Sequence, residues 1–193
     1  MSSPKPRLAE ERLPPGQYLA RDFPVLHVGS VPKFDPATWR LRVFGDVERP
    51  TEYTWQQFTA LPTKAVTTDI HCVTRWTKLD THWEGVPFKE IARLVGVRPS
   101  ATHVITHGAN GYSANLPIAV TLDDDVLLAY KLEGQPLEPI HGGPMRMFVP
   151  KRYFWKSTKW CDGVEFRTQD EPGFWEVRGY NNDADPWKEE RYW

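Results

Sequence analysis

The sequence predicts an α+β domain in which strands outnumber helices, and three observations lead there. Apolar residues gather in short β-branched or alternating runs, the period of strands rather than of a helix face. Two or three short segments carry the caps and the 3.6-residue spacing of helices. Neither a βαβ rhythm nor a glycine-rich dinucleotide loop occurs, which excludes a doubly wound parallel sheet. A mostly-β mixed domain over residues 21–193, preceded by an irregular, Pro-punctuated arm over residues 1–20, accounts for all three.

Taken in order, residues 23–28 lack a helical period and read as extended chain. Residues 39–45 alternate apolar with basic side chains, as a half-buried strand does. Thr54 is placed to cap a short helix that Pro62 stops. Residues 65–72 are rich in β-branched side chains and read as a strand, with Cys72 at its C-terminal end. Residues 87–95 have helical spacing, with Pro87 at the first helical position and Gly96 closing the helix. Residues 103–107 form a strand that Asn110-Gly111 turns towards residues 112–116. Residues 125–130 are a strand or a helix, residues 145–149 and 159–166 are strands, and residues 175–180 are extended.

Composition narrows the function. The 193 residues carry a formal net charge of −1, which leaves no electrostatic footprint for nucleic acid or an anionic membrane. No apolar run approaches the ~20 residues that span a bilayer, and the polar N-terminus has neither a hydrophobic core nor a twin-arginine pair. The expectation is therefore a cytoplasmic protein. Two cysteines, Cys72 and Cys161, cannot build a Cys-rich zinc or iron–sulfur site by themselves. Nine Trp residues suit either a bulky core or the walls of a pocket around a large flat ligand.

Several segments carry chemistry. Cys72 ends a strand beside His71, Arg75 and Trp76, and cationic neighbours favour a thiolate, the form that attacks substrates or ligates metals. His71 is a poor partner for it, because adjacent residues on a strand point to opposite faces. His103 and His107 lie four apart on a strand, roughly 13 Å at ~3.3 Å per residue, too far to share a metal. The stretch His141-Gly-Gly-Pro-Met-Arg146 combines a turn that lets backbone approach a ligand with a guanidinium suited to phosphate. Lys156-Ser-Thr-Lys-Trp160 adds two hydroxyls and two ammonium groups. One candidate thiolate and several separated anion-binding segments point to a large anionic cofactor.

The motifs Asp69-Ile-His-Cys-Val-Thr-Arg-Trp-Thr-Lys, Trp83-Glu-Gly-Val-Pro-Phe, Gly111-Tyr-Ser-Ala-Asn-Leu-Pro, His141-Gly-Gly-Pro-Met-Arg-Met-Phe-Val-Pro and Lys156-Ser-Thr-Lys-Trp occur in this order. Together they resemble the molybdopterin-binding domain of the sulfite oxidase family, which includes plant-type nitrate reductases and the catalytic subunit of a bacterial periplasmic methionine sulfoxide reductase. The resemblance runs from about residue 21 to residue 180. It implies the mixed fold of that domain, a molybdenum-molybdopterin cofactor, and two-electron oxygen-atom transfer on a small sulfoxide- or sulfite-like substrate.

Residue by residue, the resemblance makes Cys72 the metal's protein ligand. It makes Arg21, Pro24 and Val25 an early segment against the pterin, with Arg21 also standing where sulfite oxidases hold an active-site arginine. His141 and Arg146 match contacts to the pterin and its phosphate, Ser157, Thr158 and Lys159 another stretch on the cofactor, and His107 lies near a further contact. Tyr180 matches a tyrosine beside the metal. After Cys72 comes Val-Thr-Arg-Trp rather than the Ala-Gly-Asn-Arg-Arg of sulfite oxidases, closer to the bacterial reductase branch. The resemblance further implies a separate electron-transfer partner and, with no segment matching the family's dimerisation domain, a monomer. Two other readings stay open on the residues alone: a metal-free enzyme with Cys72 as nucleophile and His141 as base, and a non-catalytic pterin-binding carrier.

Overall fold

Short apolar runs become strands, and their alternation sorts the side chains into two cores. The computed structural model describes residues 9–193; residues 1–8 of the expected arm lie outside the described residues. After a 3-10 turn at Ala9–Arg12 come β1 (Tyr18–Leu19), β2 (Arg40–Gly45), β3 (Thr51–Thr54), α1 (Trp55–Thr59), β4 (Lys64–His71), β5 (Trp76–Pro87) and α2 (Phe88–Val95). There follow β6 (His103–Gly108), β7 (Ser113–Pro117), α3 (Ile118–Thr121), β8 (Leu127–Leu132), β9 (Gln135–Pro136), β10 (Arg146–Phe148) and β11 (Cys161–Arg167).

The strands form two sheets. The first runs β1-β5-β8-β10, with β4 also on β5 and β9 also on β8; the second runs β3-β2-β11-β6-β7. Leu41, Val43, Val104, Leu116 and Val164 of the second sheet bury themselves with Val86, Leu128 and Met147 of the first, and Ile91, Ala92 and Val95 of α2 join them. Their immediate neighbours Leu127, Ala129 and Phe148 enter a second core instead, with Ile70, Cys72, Trp83 and Phe154. Because successive side chains on a strand point to opposite faces, β8 and β10 serve both cores. Cys72 thus lies on the side of the first sheet that the second sheet does not cover.

The helix signals act as read, with one adjustment. Thr54 and Gln57 form a reciprocal capping box at α1. Gly96 closes α2 in the left-handed conformation, but Pro87 is the N-cap residue, one position before the expected first turn. Of residues 125–130, expected as strand or helix, those from Leu127 onward are strand, in β8. Part of the arm is ordered: β1 pairs in parallel with Trp76 and Thr77. Residues 175–180, expected to be extended, instead contain a 3-10 turn at Glu176–Arg178.

The longest strand, β5, had no counterpart in the sequence reading. It is irregular, with Asp80 at a φ of 55° and register shifts against β4 and β8. Gly85 sits at the second of these shifts, where a Cβ would come within 2.3 Å of the Leu128 carbonyl, so glycine is required for the backbones to approach. Bulges of this kind bend a strand and re-aim its ends.

A buried ion pair ties together two 3-10 turns, Phe154–Lys156 and Glu176–Arg178. Lys156 Nζ lies 2.7 Å from Glu176 Oε1, and both side chains are fully buried. Lys156 also donates to the Asn115 carbonyl and side chain, both at 2.9 Å, while Trp155 Nε1 donates to Glu176 at 2.8 Å. Removing one partner of such a pair leaves an uncompensated buried charge. Glu176→Ala is expected to lower unfolding free energy by about 3–5 kcal/mol in chemical denaturation, and Glu176→Gln by less, because its amide still accepts from Trp155.

Candidate active site

Cys72 leaves β4 and enters a tight turn before β5. Its N–H donates to the Trp76 carbonyl at 2.9 Å and its own carbonyl accepts from Arg75 N at 3.0 Å. Arg75 occupies the left-handed region at a φ of 75°. Gln17 Nε2 donates to the Cys72 carbonyl at 3.1 Å, so the segment before β1 braces the turn. The sulfur is largely buried and accepts a hydrogen bond from Thr74 Oγ1 at 3.2 Å.

The cationic neighbours do not activate this thiol as the sequence suggested. His71 turns away to bond Thr77 Oγ1 at 2.8 Å, and burial pushes its pKa down to about 4, so it is neutral at pH 7. Arg75 is exposed. Burial instead raises the Cys72 pKa, against the opposing effects of the Thr74 hydrogen bond and the Arg191 charge. Without a ligand to displace its proton, Cys72 is a thiol, which suits a metal ligand better than a free nucleophile.

Cys72 opens onto a cavity of about 320 Å³. Trp76, Phe154, Trp155, Trp160, Trp175 and Tyr180 line it with Phe23, so four of the nine Trp residues are pocket wall. Tyr180 stacks on Trp175 at 4.8 Å and meets Trp155 edge-on at 5.0 Å. Tyr112 donates its hydroxyl to the Trp155 carbonyl at 2.6 Å. The Glu176–Lys156 pair lies directly behind this wall, since Trp155 and Glu176 are bonded and each adjoins a lining residue.

The cavity also holds two cations without counter-ions. Arg146 is 1% exposed and donates to the carbonyls of His141 and Ser157 at 2.8 and 2.5 Å, while its Nε has no partner. Its guanidinium lies 4.0 Å from the Phe154 ring centre. Lys159 Nζ donates to the Ile140 carbonyl at 2.7 Å. Neither makes an ion pair among the described residues, and burial pushes Arg146 down to about 9 and Lys159, with Arg146 beside it, to about 7. Arg146 is buried and Lys159 half-buried, so holding both charges without a counter-ion is costly, and an anion entering the cavity would relieve both.

The structure gathers Cys72, Pro24, Arg146, Ser157, Lys159 and Tyr180 around this one cavity. Ser157 accepts from Val149 N at 2.9 Å, and Thr158, buried behind it, shares a 2.6 Å hydrogen bond with Thr106. His141 flanks the cavity: its ring stacks on Phe23 at 4.3 Å, and its buried Nδ1 has no partner. Arg21 and Val25 are exposed and outside the lining. His107 is also outside it; its Nε2 lies 3.1 Å from Glu165. His103 goes to Asp170 instead, at 3.9 Å, so the two histidines have separate partners. Sequence reasoning did not single out Phe23, His27, Asn110, Tyr112 or Phe154, whose placement comes from turns rather than from any periodic pattern.

Residues 28–175 match the family model described as the oxidoreductase molybdopterin binding domain. The chain is 43% identical over 182 residues to an uncharacterized oxidoreductase of Bacillus subtilis, YuiH, an alignment covering 94% of this chain and 92% of that one. It is 32% identical to the putative protein-methionine-sulfoxide reductase subunit YedZ1 of Azospira oryzae, over 86% of this chain and 64% of the relative. With mitochondrial sulfite oxidase of Drosophila melanogaster it shares 29% identity, spanning about a third (34%) of that protein. The fold matches the sulfane dehydrogenase SoxCD of Paracoccus pantotrophus with a TM-score of 0.68 at 21% identity, over 77% of this chain and 42% of that one. An aromatic cavity with one cysteine and two unpaired cations is thus set in a matching sequence and a matching fold, and the chain belongs to the molybdopterin-binding oxidoreductases of the sulfite oxidase family.

Proposed function

We propose that this chain transfers an oxygen atom to or from a small substrate, with a molybdenum-molybdopterin cofactor in the cavity and Cys72 as its protein ligand. One observation carries the reading: a lone sulfur faces the same cavity as a buried arginine and a half-buried lysine that have no carboxylate partner among the described residues. Among the described residues no cluster of three or more His, Cys, Asp or Glu side chains could hold a metal ion unaided. A metal at Cys72 would need soft donors brought by a cofactor. When bound, that cofactor supplies the two-electron redox chemistry.

The chain's own residues bind, orient and exclude water. Arg146 and Lys159 would hold the cofactor's phosphate, with the partnerless Arg146 Nε free to donate. Phe23 and Trp160 offer flat apolar surface on the same lining. Trp155, Trp175 and Tyr180 form the wall on Cys72's cavity. The Tyr180 phenol, protonated because burial raises its pKa, is suited to donate to charge developing on the transferred oxygen. With Arg75 outside the lining, the cavity offers no arginine besides Arg146 among the described residues, which favours a neutral sulfoxide-like group over sulfite. The similarity to a putative protein-methionine-sulfoxide reductase subunit supports the same choice. The two electrons of each turnover would pass through a separate partner to a chain acting as a monomer. Among the described residues no helix is long and apolar enough to cross a membrane.

Protein made in a cofactor-competent host is expected to carry about one molybdenum per chain by metal analysis, as a site with one thiolate implies. Cys72→Ser should lose the thiolate's molybdenum spectroscopic signature and cut sulfoxide turnover by at least the ~100-fold that losing a supporting group costs. Wild-type protein free of both molybdenum and pterin would overturn the proposal.

Lys159 gives a pH test. Its pKa near 7 leaves it largely neutral at pH 8, and an adjacent anion favours the charged form. Binding of the metal-free pterin at pH 8, which leaves the Cys72 thiol protonated, should therefore take up protons, seen by calorimetry in buffers of different ionisation enthalpy. The uptake should fade below pH 6, where Lys159 is already charged, and vanish in Lys159→Met.

A further inference from the structure

The turn that carries Cys72 is held by a residue from the far end of the chain. Arg191 Nη1 donates to the Val73 carbonyl at 2.6 Å and Nη2 to the Pro15 carbonyl at 3.3 Å. Its guanidinium lies 4.9 Å from the Tyr153 ring centre, and the residue is 8% exposed. Among the described residues its ion-pair partner is Glu189, at 3.8 Å, which is half exposed and compensates the charge weakly. Arg191 and Gln17, which bonds the Cys72 carbonyl, both lie outside the matched residues 28–175.

The peptide joining Val73 to Thr74 is trans, so its C=O and N–H point in opposite directions. Its oxygen faces Arg191, and its N–H faces the Cys72 sulfur, which also accepts from Thr74 Oγ1 at 3.2 Å. A cation on the carbonyl end polarises the peptide and strengthens what its N–H does at the other end. Hydrogen bonds and positive charge around a ligating sulfur stabilise the more negative, reduced state of a metal centre and raise its potential.

We infer that Arg191 is a positioning residue for Cys72: it fixes the Val73–Thr74 peptide against the sulfur, sets a buried positive charge behind it, and so raises the potential of the centre Cys72 ligates. The inference rests on the reading of Cys72 as a molybdenum ligand. It makes the C-terminal segment, which contributes nothing to the cavity lining beyond Tyr180, part of the redox tuning of the site.

The test uses holoenzyme and a redox titration of the molybdenum(V) paramagnetic resonance signal in wild type, Arg191→Lys and Arg191→Gln. Gln keeps an N–H for the Val73 carbonyl but removes the charge; it should titrate at lower potential with an altered signal and undiminished molybdenum. Lys keeps the charge and should stay with wild type. Gln titrating with wild type, or Gln and Lys shifting together, overturns the inference, the second outcome marking a packing role only. Should Arg191→Gln fail to fold, Glu189→Gln carries the test: removing the partial counter-charge should raise the potential, and no shift overturns the inference. Wild-type protein without any molybdenum signal overturns the ligand reading, and this inference with it.

Discussion

The turn after β4 is the constraint around which this structure is organised. A thiolate can be a useful metal ligand only if its backbone is fixed, because ligand geometry is set by what surrounds the ligand as much as by the ligand itself. Here four residues of turn, with Arg75 in a left-handed conformation, must be held in place without regular sheet pairing. The molecule recruits distant segments to do so. Gln17 takes the Cys72 carbonyl, Arg191 takes that of Val73, and Tyr18 N takes that of Arg75 at 2.8 Å. Every carbonyl from Cys72 to Val73, and that of Arg75, is thereby directed by a group far away in sequence. The short parallel strand β1 exists in this context, as the continuation of a clamp on the cysteine turn.

A second constraint acts on the opposite wall. Among the described residues, the buried Arg146 and the half-buried Lys159 have no carboxylate partner beside the thiol, while a third cation, Lys156, is given a fully buried one. The difference separates structure from function. Lys156 and Glu176 neutralise each other's charge and fix the turns that carry Phe154, Trp155, Trp175 and Tyr180. Arg146 and Lys159 are left for something the chain does not provide. Holding these charges away from water costs folding free energy, and an anionic ligand that binds only the folded state returns it as stability. The cavity's cost and its affinity therefore have one physical origin.

Much of this was legible in the sequence, and the gaps have identifiable causes. The strands at 40–45, 64–71 and 103–108 and the capping box at Thr54 follow from local alternation and local hydrogen bonding, which a sequence displays directly. β5 escaped because Asp80, Gly85 and Pro87 interrupt it and because Thr77 and Thr81 are buried polar residues, so no alternation survives. Residues 175–180 looked extended because their pattern alternates; Glu176 instead turns inward to Lys156 and Trp155, a tertiary bond that overrides the local preference. The cavity residues Cys72, Arg146, Ser157, Lys159 and Tyr180 were found through ordered motifs, whereas the thiol's electrostatics were misread. Cations were counted by adjacency in sequence, but burial by Trp76, Phe154 and the C-terminal segment decides the pKa, and none of that is local.

The same logic explains why Arg191 and Gln17 gave no sequence signal. Each is a single polar residue near a chain end, with no period and no motif, and each acts through a backbone carbonyl, which any residue provides. A supporting group of this kind can move to a different element in a relative without changing the ligand it supports. Tyr180 shows the link between the two layers: its ring lines the cavity beside Trp175, and its other side meets Tyr192, the neighbour of Arg191, at 5.1 Å. The segment that bears the phenol of the site is thus packed on the segment that holds the cysteine turn, and displacing either would be felt at both.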